Sequence, residues 1–321
     1  MLNKHPAILS LSEFFSLLGL NAFTGRRVTG EYIWQLYSEP AGQMSIIERE
    51  SFGELLYPFS DPQTRFSATT LPPIMAITVP HLTDEYEDLY DEIGRFVRAQ
   101  PKMLPSDHYR SLFTWLGLQL SKKLWIERHG GSLVMASRLL RHFPEARVVH
   151  IFRDGRETTL SMSKHPSFRI ILALMRRGKK IGLDLYRLLE KLEERDRLTC
   201  WLAKFQWLRS DVDSLLNKQS DLSEFAELWS KMIETGHRVF GHFPPDRLLN
   251  LRFEDILENP EREVKRLIRF ISPELEDNAW VKEVVQIPRQ KSSKFVLLDP
   301  NTQREITTAC RPGLERLGYL A

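Results

Sequence analysis

The chain has 321 residues, of which 42% are hydrophobic and 27% are charged, so it can bury a substantial core and is not an intrinsically disordered chain. Its net charge of +3 at pH 7 does not favour a nucleic-acid-binding module, because the basic residues are interspersed with nearly as many acidic ones. The two cysteines, Cys200 and Cys310, cannot form a disulfide framework and no apolar stretch is long enough to span a bilayer, so we expect a cytoplasmic protein without a membrane span.

Residues 16–120 contain few motifs that predict a specific structure or function. Gly25 and Gly30 follow no hydrophobic strand and lack the ending of a phosphate-binding loop, so we interpret this segment as a turn. Residues 31–120 are predicted to be mixed helix and loop, interrupted by prolines. Their aromatic side chains suit either an acceptor pocket or lid, or an ordinary core. These residues are Tyr32, Trp34, Tyr37, Phe52, Tyr57, Phe59 and Phe66.

Strands and helices alternate from residue 124 onward, which predicts a parallel sheet with crossover helices. The segment 170–216 is strongly helical in pattern. At Asn259 and Pro260 the sequence has the signature of a helix start, with a capping residue followed by proline. The predicted strands are 124–127, 148–152 and 248–253, and the other predicted helices are 132–142 and 223–240.

Arg153 stands where the strand 148–152 gives way to a polar helix. The carboxyl end of a strand faces the crevice of an open α/β sheet, and the start of a helix offers unpaired N–H groups. The guanidinium of arginine can donate two parallel hydrogen bonds to an anion. Ser161 lies about two helical turns further on and can add a neutral donor. The pattern therefore predicts an anion site for phosphate, with a structural ion pair between Arg153 and Asp154 as the alternative.

With these motifs the chain resembles the sulfotransferase family, which transfers a sulfuryl group from 3′-phosphoadenosine-5′-phosphosulfate (PAPS) to a hydroxyl or amine. The resemblance covers roughly residues 124–319, with a shorter piece at 1–15. It implies an α/β fold with a three-layer, P-loop-NTPase-like parallel sheet flanked by helices, in a single domain of residues 1–321. Residues 31–120 would then form the acceptor or lid region, and residues 170–216 a helical insertion.

The resemblance also implies which residues bind the donor. Arg153 and Ser161 have the spacing of the family residues that hold the 3′-phosphate. Phe253 replaces the family's aromatic residue next to the adenine and keeps a stacking face. Lys294, in the run Lys-Ser-Ser-Lys, is the nearest match to a basic loop that also contacts the 3′-phosphate.

One part of the family pattern is missing from the sequence. The family opens with a strand and a Gly-Thr-Thr-like loop that clamps the 5′-phosphosulfate, whereas residues 1–15 resemble the family segment that comes after its first helix. We expect either that the start of translation has been placed too late, so that upstream DNA encodes this loop, or that the donor site is a remnant.

Sulfuryl transfer needs a base that takes the proton of the acceptor. Some bacterial members place an acceptor-side glutamate where Glu13 stands, and other members end the strand 124–127 in a Lys-x-His motif with a catalytic histidine. His129 matches that histidine, but Glu127 stands at the lysine position. Glu13 and His129 are therefore both candidate bases, and Arg128 would assist the sulfate if its loop turned it inward.

The sequence predicts a PAPS-dependent sulfotransferase that acts on a small-molecule, carbohydrate or lipid acceptor and uses no metal. The helical segment 170–216 offers enough surface for a homodimer. One alternative is a catalytically inactive sulfotransferase-like protein that binds a nucleotide or an acceptor. The other is a phosphotransferase, which would prefer ATP and require Mg²⁺.

Overall fold

A computed structural model of the chain describes residues 1–18, 22–40, 55–58, 61, 64–67, 69–180, 182–184, 186–187, 221–289 and 292–320. Within the predicted helical segment 170–216, the structure describes helix up to Lys180 and again at Tyr186 and Arg187, and most of the remainder lies outside the described residues. Cys200, Phe52, Phe59 and Lys291 also lie outside them. The chain divides into two compact units. The N-terminal unit comprises the described residues of 2–132 together with Arg187, and the C-terminal unit comprises Met1 and the described residues of 133–186 and 221–320.

The N-terminal unit is built around two parallel strands and the helices that connect them. Strand β1 (Ile8–Ser12) pairs with β2 (Leu124–Arg128), in a register that sets Ser12 opposite Arg128. The helices are α1 (Phe14–Leu18), α2 (Gly30–Ser38), α3 (Pro73–Ala76), α4 (Tyr86–Arg98) and α5 (Pro105–Gln119), with a 3₁₀ turn at Leu2–Lys4.

All five residues of β1 are buried, as is typical of a parallel strand that is covered on both faces. Aromatic rings pack edge to face behind it. The ring centroids of Phe14 and Phe113 are 4.9 Å apart, and those of Phe14 and Tyr37 are 5.5 Å apart. Trp34 packs against Tyr90. Several aromatic residues of the predicted acceptor or lid region therefore contribute to the core of this unit.

The turn predicted around Gly25 is a bend, but Gly30 has a different role. It begins α2, and a Cβ at this position would lie 2.0 Å from the carbonyl oxygen of Val97. Glycine is therefore required for the close approach of α2 to the end of α4.

The C-terminal unit repeats the parallel pairing. Strand β3 (Val148–Phe152) pairs with β4 (Leu248–Arg252), with Phe152 opposite Arg252. The helices are α6 (Ala136–His142), α7 (Gly155–Met162), α8 (Pro166–Lys180), α9 (Leu222–Phe240), α10 (Phe253–Glu258), α11 (Pro260–Ile271), α12 (Asn278–Val284) and α13 (Pro300–Arg316), and 3₁₀ turns lie at Ser132–Met135, Pro245–Arg247, Pro273–Leu275 and Phe295–Leu297.

The described residues thus form a mixed α/β protein with short parallel sheets flanked by helices, as the alternating pattern predicted. Two details differ from the prediction. The strand β1 was not predicted, and the side chain of Asn259 makes no capping hydrogen bond. Instead, its backbone carbonyl accepts from the N–H of Glu263 as α11 begins.

Trp229 on α9 is the centre of the C-terminal core. Its ring lies against Gly155 at the start of α7 and against Gly313 in α13. A Cβ on Gly155 would lie 2.3 Å from a ring atom of Trp229, and a Cβ on Gly313 would lie 2.6 Å away. Only glycine allows both helices to approach the indole this closely. The start of α7, two residues after Arg153, is therefore fixed by the core.

We expect Gly155→Ala to lower the free energy of unfolding by about 1–3 kcal/mol, because the added methyl group displaces a packed ring. Chemical denaturation of the purified chain measures this change. Gly131→Ala is the matched control, since its Cβ would meet only the His129 ring at 3.8 Å, an ordinary contact distance. Equal stability of the two variants would show that the packing at Gly155 is not tight.

Candidate functional site

Arg153 and Phe253 lie side by side at the carboxyl ends of β3 and β4. The register pairs Phe152 with Arg252, so the next residue on each strand reaches the same edge of the sheet. The guanidinium carbon of Arg153 is 5.4 Å from the centroid of the Phe253 ring, which is a cation–π contact. The Arg153 side chain remains 39% exposed, so its N–H groups can reach a ligand.

The helix α7 begins at Gly155, two residues after Arg153. Asp154 caps it by accepting from the backbone N–H of Arg156 at 2.9 Å, and the Arg156 guanidinium binds the same carboxylate. Asp154 therefore pairs with Arg156 and leaves Arg153 available. Ser161 stands eight positions after Arg153, in the last turn of α7, and is exposed.

Glu157 on α7 connects Arg153 to the loop that carries Lys294. One oxygen of Glu157 lies 3.8 Å from the Arg153 guanidinium, while the other accepts from the backbone N–H of Phe295 at 3.0 Å and from the hydroxyl of Ser293. Lys294, between these two donors, is exposed. The structure thus brings the predicted basic loop to α7, the helix that follows Arg153.

Glu254 is a residue of this region that the sequence analysis did not single out. It accepts from the backbone N–H of Asp154 at 3.1 Å and from the hydroxyl of Tyr319 at 2.7 Å. Burial and this hydrogen bond raise the pKa of Tyr319, so the phenol stays protonated. The Arg252 guanidinium lies 4.6 Å from the centre of the Tyr319 ring. Glu254 therefore ties the end of β3 to the C-terminal segment.

The N-terminal unit has its own cluster of polar residues where β1 and β2 end. Glu13 follows β1 with a φ of 57°, in the left-handed region that a non-glycine residue rarely adopts. Its carboxylate accepts from the backbone N–H of Gly130 at 3.2 Å and from the hydroxyl of Ser16 at 2.7 Å. Glu13 thus joins the start of α1 to the loop after β2.

His129, the first residue after β2, is held by Glu127. Its Nδ1 lies 3.0 and 3.1 Å from the two oxygens of Glu127, and its side chain is 1% exposed. Burial lowers the pKa of His129, but the hydrogen bond to Glu127 and the charges of Glu127 and Glu13 outweigh it and leave this pKa raised. Within the described part of the chain, Nε2 is buried and has no hydrogen-bond partner.

A family model described as the sulfotransferase family matches residues 194–277. The match covers less than half of the chain, and the matched segment is similar to that family. This confirms the resemblance seen in the sequence and supports a general sulfotransferase function. Neither the search of curated proteins nor the search of solved structures found a match.

The segment matched to the sulfotransferase family includes α9, β4, α10 and α11, and Phe253 lies inside it. All of the predicted site residues stay predictions, and the others lie outside the match. These are Glu13, His129, Arg153, Ser161 and Lys294.

The guanidinium of Arg128 contacts Ser10 and His81. Its Nε donates to the hydroxyl of Ser10 at 3.2 Å, and another guanidinium nitrogen lies 3.1 Å from Nε2 of His81. Burial and the charge of Arg128 lower the pKa of His81, so this histidine is neutral near pH 7 and can accept the contact. Among the described residues, we find neither a cluster of metal-ligand type nor a helix long and apolar enough to cross a membrane.

Proposed function

We propose that the protein transfers a sulfuryl group from PAPS to a hydroxyl or amine acceptor. The observation that carries this proposal is the Arg153–Phe253 pair at adjacent strand ends, together with the family match over β4 and Phe253. An arginine beside an aromatic face suits a nucleotide that carries a phosphate on its ribose, because one residue binds the anion and the other stacks on the base.

The four residues proposed to bind the donor have chemistry that fits it. Arg153 supplies a bidentate contact to the 3′-phosphate, Ser161 a neutral donor and Lys294 a second positive charge. Phe253 offers its ring to the adenine. Glu157 balances the charge of Arg153 and holds the Lys294 loop, so the phosphate would compete with a carboxylate that lies 3.8 Å from the guanidinium.

Glu13 and His129 remain the candidates for the base that accepts the acceptor's proton. Both candidate bases, Glu13 and His129, follow the carboxyl ends of paired strands. Sulfuryl transfer forms a bond between the acceptor oxygen or nitrogen and sulfur, and breaks the bond between sulfur and the 5′-phosphate oxygen. The products are the sulfated acceptor, a proton and 3′,5′-adenosine bisphosphate.

The proposal also covers the fold of the enzyme, its acceptor, its oligomeric state and its cellular compartment. The short parallel strand pairs are compatible with a three-layer, P-loop-like sheet in one domain. We also propose that part of residues 31–120 recognises a small-molecule, carbohydrate or lipid acceptor, that the protein forms a homodimer, and that it works in the cytoplasm. The low cysteine content supports a reducing compartment.

The test is incubation of the purified chain with PAPS labelled at sulfur and a panel of phenols, sugars and sterols. We expect label to move to at least one acceptor in the presence of a metal chelator, and we expect that ATP cannot replace the donor. Binding of 3′,5′-adenosine bisphosphate without transfer to any acceptor would instead favour an inactive, nucleotide-binding protein. Transfer of phosphate from ATP with Mg²⁺ would overturn the proposal.

A further inference from the structure

The carboxylate of Glu254 bridges two segments that are far from it in the chain. Its Oε1 accepts from the backbone N–H of Asp154 at 3.1 Å, and its Oε2 accepts from the hydroxyl of Tyr319 at 2.7 Å. The Nε of Arg252 lies 3.6 Å from Oε2. Only 26% of the Glu254 side chain is exposed, so water competes weakly for these contacts. Both oxygens therefore bind the protein itself.

The N–H that Glu254 binds belongs to the peptide group that follows Arg153. Because a peptide group is planar, the hydrogen bond fixes the carbonyl of Arg153 together with the N–H of Asp154. On its other side, Asp154 is fixed because its side chain caps α7 and Gly155 packs into the core. Glu254 also directly follows Phe253, whose ring centroid lies 5.4 Å from the Arg153 guanidinium. One side chain thus restrains the backbone of both members of the Arg153–Phe253 pair.

Tyr319 lies beside Glu254 because of the way in which α13 ends. Gly318 has a φ of 73°, and the N–H of Tyr319 donates to the carbonyl of Leu314 at 2.9 Å. A glycine in this conformation commonly reverses the chain at the end of a helix. The Tyr319 ring then packs edge to face on Phe152, with 6.4 Å between the ring centroids. Burial and the hydrogen bond to Glu254 raise the pKa of Tyr319, so its hydroxyl remains a donor at neutral pH.

We propose that Glu254 and Tyr319 are positioning residues of the nucleotide site, which hold the peptide group after Arg153 so that its guanidinium meets a 3′-phosphate. This inference rests on the proposed function, because it assigns Arg153 to the donor. The ligand class is an adenine nucleotide with a phosphate on its ribose, which suits an arginine beside the aromatic ring of Phe253. Glu254 and Tyr319 act through the backbone and do not bind the nucleotide themselves.

The sign of the effect separates this role from a purely electrostatic one. A carboxylate near an anion site repels the anion, so if Glu254 acted only through its charge, its removal would tighten nucleotide binding. A carboxylate that positions Arg153 has the opposite effect, because its loss frees the peptide group after that arginine. The Arg252 guanidinium, 3.6 Å from Glu254, offsets part of the negative charge. We therefore expect the effect on position to be the larger one.

The experiment compares the binding of 3′,5′-adenosine bisphosphate and of 5′-AMP to the full chain by calorimetry. Glu254→Leu should weaken the binding of the bisphosphate by roughly tenfold and that of 5′-AMP much less, because the contact that is lost is the one to the 3′-phosphate. Glu254→Gln keeps an oxygen that accepts from the N–H of Asp154, so it should recover most of the lost affinity. Tyr319→Phe keeps the ring but loses the hydroxyl, and should weaken the binding of the bisphosphate by roughly threefold.

Glu258→Leu is the matched control. It removes the same charge from an exposed position of the same helix, α10, and should bind both nucleotides like the wild type. A double-mutant cycle gives a second readout that a merely structural role would not produce. In an Arg153→Ala background, Glu254→Leu should cause no further loss of affinity, because its effect passes through that arginine. Chemical denaturation checks that each variant is folded, and Tyr319→Phe replaces Glu254→Leu in the same cycle if the latter does not fold.

The outcomes separate this inference from the proposed function. If folded Glu254→Leu binds the bisphosphate as tightly as Glu258→Leu does, or if its loss of affinity persists undiminished in the Arg153→Ala background, the positioning role is wrong and the proposed function stands. If the variants behave as expected but PAPS sulfates no acceptor, the proposed function fails and the positioning role stands. If the wild type does not prefer the bisphosphate to 5′-AMP, both fail.

Discussion

Arg153→Ala should weaken the binding of 3′,5′-adenosine bisphosphate by roughly 10- to 150-fold. This corresponds to the loss of about 1.5–3 kcal/mol, which is typical of hydrogen bonds to a charged group. Arg153 is suited to this role because its guanidinium is partly exposed, lies against the Phe253 ring and is 3.8 Å from the carboxylate of Glu157. Isothermal titration calorimetry measures the affinity directly.

Two further variants separate the geometry of this contact from its charge. Arg153→Lys keeps the charge but loses the planar guanidinium that can donate two parallel hydrogen bonds, so it should recover only part of the affinity. Arg110→Ala removes the same charge from α5 of the N-terminal unit, where Arg110 pairs with Asp107, and should bind like the wild type. Equal affinity of Arg153→Ala and Arg110→Ala would exclude Arg153 from the donor site.

His129→Gln should lower the rate of sulfuryl transfer by roughly 10²- to 10⁴-fold and leave the binding of 3′,5′-adenosine bisphosphate unchanged. In the wild type, only the neutral imidazole can take a proton, so kcat/KM should rise with pH and level off above the pKa of His129. The contact with Glu127 and the charge of Glu13 outweigh burial, so this pKa lies above the ordinary value of 6.5. The residual activity of His129→Gln should lack the rise of kcat/KM with pH that is caused by His129.

His242→Gln provides the control for this comparison, because His242 is exposed in the C-terminal unit. It should keep both the rate and the pH profile of the wild type. If His129→Gln retains the wild-type rate and pH midpoint, Glu13 becomes the base to test next.

Local sequence patterns predicted much of the C-terminal unit. The bounds of β3 agree with the prediction, and α9 begins one residue earlier than predicted, since apolar periodicity and turn residues mark these elements. The strand β1 was missed because its stability comes from pairing with β2, more than 100 residues away in the chain. A run of five residues does not by itself distinguish a buried strand from a short helix.

Most contacts of the candidate site also depend on tertiary packing, which local sequence patterns do not encode. Arg153 and Phe253 could be expected to meet, because parallel strands end at one edge of a sheet. The contacts of Glu254 with Tyr319 and of Glu157 with Phe295 join segments 65 and 138 residues apart, and no local pattern predicts them. In the sequence, Glu127 was noted only because it replaces the lysine of the Lys-x-His motif. Its contact with the N–H of Phe15 could not be predicted, because this contact depends on how α1 packs.

The proposed function requires that the Arg153 site recognise a 3′-phosphate. The decisive measurement is calorimetric titration of the wild-type chain with 3′,5′-adenosine bisphosphate and, separately, with 5′-AMP, which lacks the 3′-phosphate. We expect micromolar binding of the bisphosphate without Mg²⁺, and binding of 5′-AMP that is weaker by roughly tenfold or more. Equal binding of the two nucleotides by a folded chain, or tighter binding of ATP with Mg²⁺, would contradict the account.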